Sequence, residues 1–306
     1  MERKILWLIS FVLICILWIK VEHSTPNQSS DTQVNTTTTP AVKLQEKPTQ
    51  AKTSVVEKDS DTDDNDASEE EKSYFKSHPV SGQAPNFASI ANIKERKKAF
   101  FNFLKPYVDE KNQLILQDRK RLKTFLNNKR KLTANDVQWI SALRKSLKLE
   151  EKESYAKADI NTLLNRLDII PVSLVLAQAA NESAWGTSRF ATMGNNYFGQ
   201  WCFRKGCGLV PESRDDDADH EVRKFHDARE SVFAYIDNLN RNAAYKSLRA
   251  TRKTLRDNQE SISGLALAEG LLSYSQRGED YVDEIKGLIE YNKLWRFNHP
   301  INQVTP

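Results

Sequence analysis

The sequence is short of the residues that dominate specialised chains. It holds 3 Cys, 2 Met, 10 Gly and 10 Pro in 306 residues. So few cysteines exclude a disulfide-dense scaffold, and so few glycines exclude a collagen-like repeat. Long hydrophobic runs are also scarce. One run near the N-terminus is the sole candidate, which excludes a polytopic membrane protein. A strong charge of one sign is missing from the total, because the net +4 averages unequal regions. Residues 1–20 sum to +2, 21–90 to −6, 91–160 to +9 and 161–306 to −1. The length accommodates one large domain or two small ones.

The apolar run covers Ile5 to Ile19, 15 residues without a charge, closed by Lys20. A signal-peptide core takes roughly 7–15 residues and a spanning helix roughly 17–25. No small-x-small cleavage site follows, and Trp7 and Trp18 stand near the two ends, where interfacial aromatics belong. The run reads as an uncleaved signal-anchor, with a cleaved signal as the alternative. Arg3 and Lys4 favour a cytoplasmic N-terminus and export of the rest. Cys15 lies inside the apolar run and lacks the small preceding residue of a lipidation site.

Residues 21–90 are rich in Thr, Ser, Gln, Asp and Lys, with Thr36 to Thr39 in a row and an acidic run from Asp59 to Glu71. Such composition buries too little apolar surface to offset ordering entropy, so this segment is expected to be a disordered tether. The acidic spacing fits no calcium loop. A tether behind an anchor lets a domain search a volume near the membrane.

Residues 91–306 read as the folded domain, with a core at about 160–300. Ile93, Phe100, Phe103 and Leu104 recur at helical spacing up to Pro106, where a break is expected. Leu114, Leu116, Leu122 and Phe125 predict a second helix, and Thr133 to Asp136 supply N-caps for a third. The basic excess here interleaves with acids and carries no recognition motif, so no nucleic-acid partner is expected. A basic face toward an anionic wall polymer fits better.

Pro171 opens the most informative stretch, PVSLVLAQAANESAWG, a predicted helix that stops at Gly186. Val175, Ala179 and Glu182 share a face, with Gln178 four residues before Glu182 and Trp185 three after, both candidate substrate contacts. One carboxylate thus ends an apolar helix beside an aromatic. Burial against such a surface disfavours the charged form and raises the pKa, as a general acid requires. The bland alternative is an exposed Glu at a helix end.

The next stretch, FATMGNNYFGQWCF, places Asn195, Asn196, Tyr197 and Phe198 in a turn bounded by Gly194 and Gly199, with Trp201 following. Amides and aromatic faces suit a sugar, although a packed turn with Asn-to-backbone bonds reads equally well. Cys202 and Cys207 could close a tight disulfide loop in an oxidising compartment, remain thiols, or bind zinc with His220 and His226. Leu209 to Phe225 reads as a β-hairpin around Asp215 to Asp217, and Glu212, Asp219 or Glu221 could supply a second carboxylate. Helices at 231–245, 264–274 and 281–295 complete the chain.

Taken together, LVLAQAANESAWGTSRFA (174–191), GNNYFGQWCF (194–203), GCGLVP (206–211), HEVRKF (220–225) and YSQRGEDYVDEI (274–285) resemble the Bax-type glucosaminidases. These are a branch of the bacterial peptidoglycan β-N-acetylglucosaminidases, of the mannosyl-glycoprotein endo-β-N-acetylglucosaminidase-like family. The resemblance spans roughly residues 91–300 and implies a lysozyme-like, mainly helical α+β fold with a small β-hairpin beside the cleft. It implies that Glu182 is the general acid. Glu221 is the first candidate for a second acidic residue and Glu212 the next. One of Tyr274 and Tyr281 is expected to line the cleft near Glu182, and the Asn196–Phe198–Gly199 turn to bind sugar.

The expected activity is cleavage of the β-1,4 bond after N-acetylglucosamine in peptidoglycan. That chemistry requires no metal or organic cofactor. Expected partners are glycan strands, the inner membrane through residues 5–19, and a regulatory protein that restrains the enzyme. The expected location is the cell envelope, with the domain in the periplasm. Two rivals share the residues. One is a lytic transglycosylase, and the other is a non-catalytic peptidoglycan-binding scaffold.

Overall fold

The computed structural model describes residues 67–80, 82–127, 131–212 and 220–298. The apolar run 5–19, most of the tether, Asp215 to Asp217 and Asp219 lie outside the described residues. Helices dominate. They are α1 (Glu69–Ser77), α2 (Ile93–Asn127), α3 (Ala134–Ser146), α4 (Lys157–Arg166), α5 (Val172–Glu182), α6 (Arg189–Gly194), α7 (Ala228–Arg241), α8 (Lys246–Asp257), α9 (Gly264–Ala268) and α10 (Glu279–Tyr291). Three short strands, β1 (Trp201–Cys202), β2 (Gly208–Leu209) and β3 (Glu221–Arg223), form an antiparallel sheet in the order β1-β3-β2. The predicted hairpin is thus β2 and β3, and β1 joins it from the aromatic turn. Among the described residues no helix is long and apolar enough to cross a membrane.

The centre of the molecule is α5. Every residue from Val172 to Ala180 is buried, and Ala177, Ala179 and Ala180 let neighbouring helices approach closely. α2, α9, α10 and the 3₁₀ turn Leu294–Phe297 pack around it. A helix apolar all round must lie in a core, so its one acidic end group, Glu182, is carried to the core's edge.

α2 runs unbroken through Pro106, where the sequence suggested two helices. Phe100, Phe101, Leu104, Val108, Asn112, Ile115, Arg119 and Leu122 form one buried stripe along it. Burial of that stripe against α4, α5 and α7 outweighs the ~3 kcal/mol cost of an internal proline. The same helix clamps the entry to α5. Asn112 donates to Ile170 O at 2.8 Å and accepts from Ile170 N at 3.1 Å. Arg119 pairs with Asp168 at 3.2 Å, and Arg256 pairs with it at 2.9 Å. Burial opposes the charge on Asp168, yet Arg119, Arg256 and Arg252 hold its carboxyl below the usual range.

Residues 69–80 and 82–89, expected to belong to a disordered tether, are ordered. α1 is N-capped by Ser68. It lays Phe75 against Phe233 (centroids 5.3 Å apart) and joins Glu71 to Lys111 at 2.8 Å. Tyr74 donates to Glu110 at 2.8 Å. Further on, Phe87 is buried against Phe100 and Phe103. Three aromatics in an otherwise polar segment supply the apolar surface that the average composition concealed.

Candidate active site

α5 ends in an unusual turn. After Glu182 and Ser183, Ala184 (φ 48°), Trp185 (φ 60°) and Gly186 (φ 77°) are all left-handed. Such a conformation costs a non-glycine residue on the order of 1–3 kcal/mol. The surroundings enforce it. Trp185 N donates to Ala180 O at 2.9 Å, and Ser183 Oγ donates to Ala179 O at 2.6 Å and accepts from Gly186 N at 2.8 Å. Glycine is required at 186 on two counts, because a Cβ there would also lie 2.5 Å from the Phe87 ring. Strained turns concentrate at functional sites, and this one directly follows the candidate acid.

Glu182 is half-buried as a residue, and its carboxyl is the part turned inward. Tyr281 Oη donates to its Oε1 at 2.8 Å. Gln178 Nε2 donates to Tyr281 Oη at 2.9 Å, and Tyr235 Oη donates to Gln178 Oε1. Because the Tyr281 oxygen accepts from Gln178, its own hydrogen is directed at Glu182. Burial pushes the Glu182 pKa up to about 7, hydrogen bonds from Tyr281 and Asn181 oppose the rise, and the nearby Glu284 charge adds to it. Burial, aided by the Glu182 charge, also raises Tyr235, Tyr274 and Tyr281, so these hydroxyls keep their protons.

The sequence placed Trp185 beside this carboxyl, but the surrounding aromatic wall is built of tyrosines. Tyr274 stacks on Tyr281 with centroids 5.4 Å apart. Trp185 instead meets Phe100 and Phe101 edge-on. Gln178, read as a substrate contact, is fully buried and acts through Tyr281. Tyr274, also read as a substrate contact, donates to Phe198 O at 3.0 Å and so ties the aromatic turn to the tyrosine wall.

A cavity of about 400 Å³ lies between the end of α5 and α10, lined by Asn181 next to Glu182 in the chain. Ala180, Ala184 and Gly287 form part of its lining, together with Asn181, Trp185, Glu284, Leu288 and Tyr291. Glu284 is ion-paired with Arg277 at 2.7 Å. Asn181, Arg277 and Glu284, which act on the Glu182 carboxyl, are not among the residues the sequence singled out. The signal was present for Glu284, which lies one helical turn after Tyr281 and so shares its face.

The turn residues read as sugar ligands are turned inward. Asn196 is buried and uses its whole amide on the backbone. Its Nδ2 donates to Gln200 O and Arg223 O, both at 2.9 Å, and its Oδ1 accepts from Phe198 N (3.2 Å) and Gln200 N (3.1 Å). Asn195 is left-handed at the end of α6 and donates to Phe225 O and His226 O. Tyr197 packs on Phe100 and Phe103, and Phe198 stacks on Tyr235 at 4.0 Å. Trp201 is half-buried and stacks on His220 at 4.0 Å.

The two hairpin carboxylates differ. Glu212 is exposed, 3.7 Å from Arg189. Glu221 is buried, and its oxygens accept from Gly206 N at 2.9 Å and Gly208 N at 2.8 Å. It fastens the loop closed by the Cys202–Cys207 disulfide. Cys202, Cys207 and Glu221 bring potential metal-ligating atoms within 4.8 Å of one another. The disulfide leaves neither sulfur as a thiolate, so this grouping does not fit a metal in this state.

Residues 157–294 match the family model described as mannosyl-glycoprotein endo-beta-N-acetylglucosaminidase. The chain is similar to Protein bax of Escherichia coli (strain K12), with 32% identity over 227 residues, covering 72% of this chain and 78% of that protein. No solved structure matches the chain.

Proposed function

Because the chain belongs to the mannosyl-glycoprotein endo-beta-N-acetylglucosaminidase family, we propose that it hydrolyses the β-1,4 bond from N-acetylglucosamine to N-acetylmuramic acid in peptidoglycan, with Glu182 as general acid. The carrying observation is the Glu182 carboxyl, raised to about 7 and held on one oxygen by Tyr281. A general acid works best with a pKa near the working pH. With the Tyr281 hydrogen directed at Oε1, the carboxyl proton belongs on Oε2. That oxygen protonates the glycosidic oxygen as the bond breaks, and positive charge develops on the sugar ring.

The backbone bonds that engage both oxygens of Glu221 favour a route that does not depend on it. The substrate's own N-acetyl oxygen attacks the anomeric carbon and forms an oxazolinium ion. Water then opens that ion, giving up its proton to Glu182. The product keeps the configuration of the bond cleaved. The fold reading that goes with this function is lysozyme-like, with the small β-hairpin beside the cleft. The cellular reading is an envelope enzyme held to the inner membrane by residues 5–19.

The test is digestion of purified peptidoglycan by the full chain and by Glu182→Gln, with borohydride reduction and mass spectrometry. Reduced N-acetylglucosamine ends are expected, and they should be absent from the variant. Anhydro-muramic ends would instead make the enzyme a lytic transglycosylase, which also works with one Glu. Binding without products from either protein would make it a scaffold.

A further inference from the structure

A side chain from outside the matched family region, which begins at residue 157, sits against two of the residues that line the cavity. Lys97 of α2 reaches over two of its walls. The ammonium lies 4.4 Å from the Trp185 ring centroid and 5.0 Å from that of Tyr291. Its hydrogen-bond partner is the neutral Oδ1 of Asn292, at 3.2 Å. Burial lowers its pKa. An ammonium carries three donors, so two remain after Asn292. A half-buried cation with no carboxylate partner among the described residues is poised to bind an anion.

The rest of the cavity suits a sugar ring. Its volume of about 400 Å³ falls in the range of roughly 300–1,000 Å³ typical of small-ligand sites. Trp185, Leu288 and Tyr291 offer apolar surface, and Tyr291 is 81% exposed at the rim. Asn181 offers a donor and an acceptor to hydroxyl or acetamido groups. Glu284 can accept from hydroxyls, and its pairing with Arg277 limits its repulsion of an anion. Asn181 and Glu284 also act on the Glu182 carboxyl, which couples this cavity to the proposed acid.

We propose that this cavity is a subsite for a carboxylate-bearing sugar of the glycan strand, with Lys97 pairing to the carboxylate. This rests on the hydrolase reading above. The carboxylate has two sources, the lactyl ether of bare muramic acid or the stem peptide attached to it.

The test is calorimetric binding by the full chain carrying Glu182→Gln, so that ligands stay intact. Three tetramers are compared: neutral N-acetylglucosamine chains, alternating chains without peptide, and alternating chains with stem peptides. A carboxylate-bearing chain is expected to bind roughly tenfold more tightly than the neutral one. Adding Lys97→Met should bring that ratio close to one, and Lys97→Arg should keep most of it. Preference for the bare chain assigns the lactyl carboxylate, and preference for the peptide-bearing chain assigns the peptide. Added salt should weaken only the charged chains, a readout independent of how the variants fold. Equal binding of all three, or a preference untouched by Lys97→Met, overturns the proposal. Digestion by the unmodified chain judges the hydrolase reading separately. No cleavage with Lys97-dependent binding would sink that reading alone, and cleavage without Lys97-dependent preference would sink this one alone.

Discussion

Glu182 and Glu221 show how differently one side chain is used at the end of a buried helix and on a short strand. Glu182 meets side-chain donors, the Tyr281 hydroxyl and the Asn181 amide, and burial keeps its proton near neutral pH. Glu221 accepts a backbone N–H on each oxygen and so ties the loop to β3. Burial alone therefore does not mark a catalytic carboxylate. What the carboxylate is bonded to separates the proposed acid from a carboxylate that ties down a loop.

The largest expected difference between the two regions is in turnover. Glu182→Gln should lower peptidoglycan turnover by roughly 10²–10⁴-fold or more, the usual contribution of a general acid. Glu221→Gln replaces an acceptor with an amide that faces an N–H. It should cost stability, about 1.5–3 kcal/mol for a hydrogen bond to a charged group, while leaving turnover of the folded protein within about tenfold. Rates on solubilised glycan, normalised to folded protein, would decide. Equal collapse in both variants would restore Glu221 as a reacting group.

A second test concerns what supports the helix end. Phe87 fills the space against Gly186, four residues after Glu182. Phe87→Ala should destabilise the fold by about 3–5 kcal/mol, measured by chemical denaturation. A fragment starting at residue 91 should show a similar loss. Unchanged stability would mean that the segment before α2 is dispensable.

Tyr281→Phe should have a smaller, more diagnostic effect. It removes the hydrogen that assigns the proton to Oε2, so the rate should fall roughly tenfold to a hundredfold. The lost hydrogen bond had been lowering the Glu182 pKa, so the alkaline limb of the pH–rate profile should move upward. A rate loss without that movement would mean that Tyr281 only packs.

These residues also show what was legible. Glu182 stands out in the sequence as the candidate acid because its motif and its helix are local. Its partner Tyr281 lies 99 residues away and Gln178's partner Tyr235 lies 57 away, so no periodicity could join them into a relay. Asn196 reads two ways in sequence because amides suit sugars and buried turns equally well, and its four bonds to backbone appear only in the fold. The ordered segment before α2 was hidden because average composition outweighed three aromatics. α2 looked like two helices because a proline's local cost is visible in sequence, whereas the packing that offsets it is not.

The smallest expected effect is the sharpest contrast, because it has opposite signs in the two regions. The Glu182 carboxyl has a pKa of about 7 in the fold against an ordinary 4.5. Between those values the folded protein holds a proton that the unfolded chain has released, so stability falls as pH rises through this window. Above about pH 7 the fold carries the full cost of a poorly solvated anion. A glutamine at this position bears no such charge, so Glu182→Gln should melt about 2–6 °C higher than the parent at pH 8 and about equally at pH 4. Glu221→Gln should melt lower than the parent at pH 8, because one of the two backbone N–H groups loses its acceptor. Scanning calorimetry at the two pH values would read both. A pH-independent shift for Glu182→Gln would show that desolvation of its carboxylate is not what raises the pKa, and the contrast between the two carboxylates would have to be explained by geometry alone.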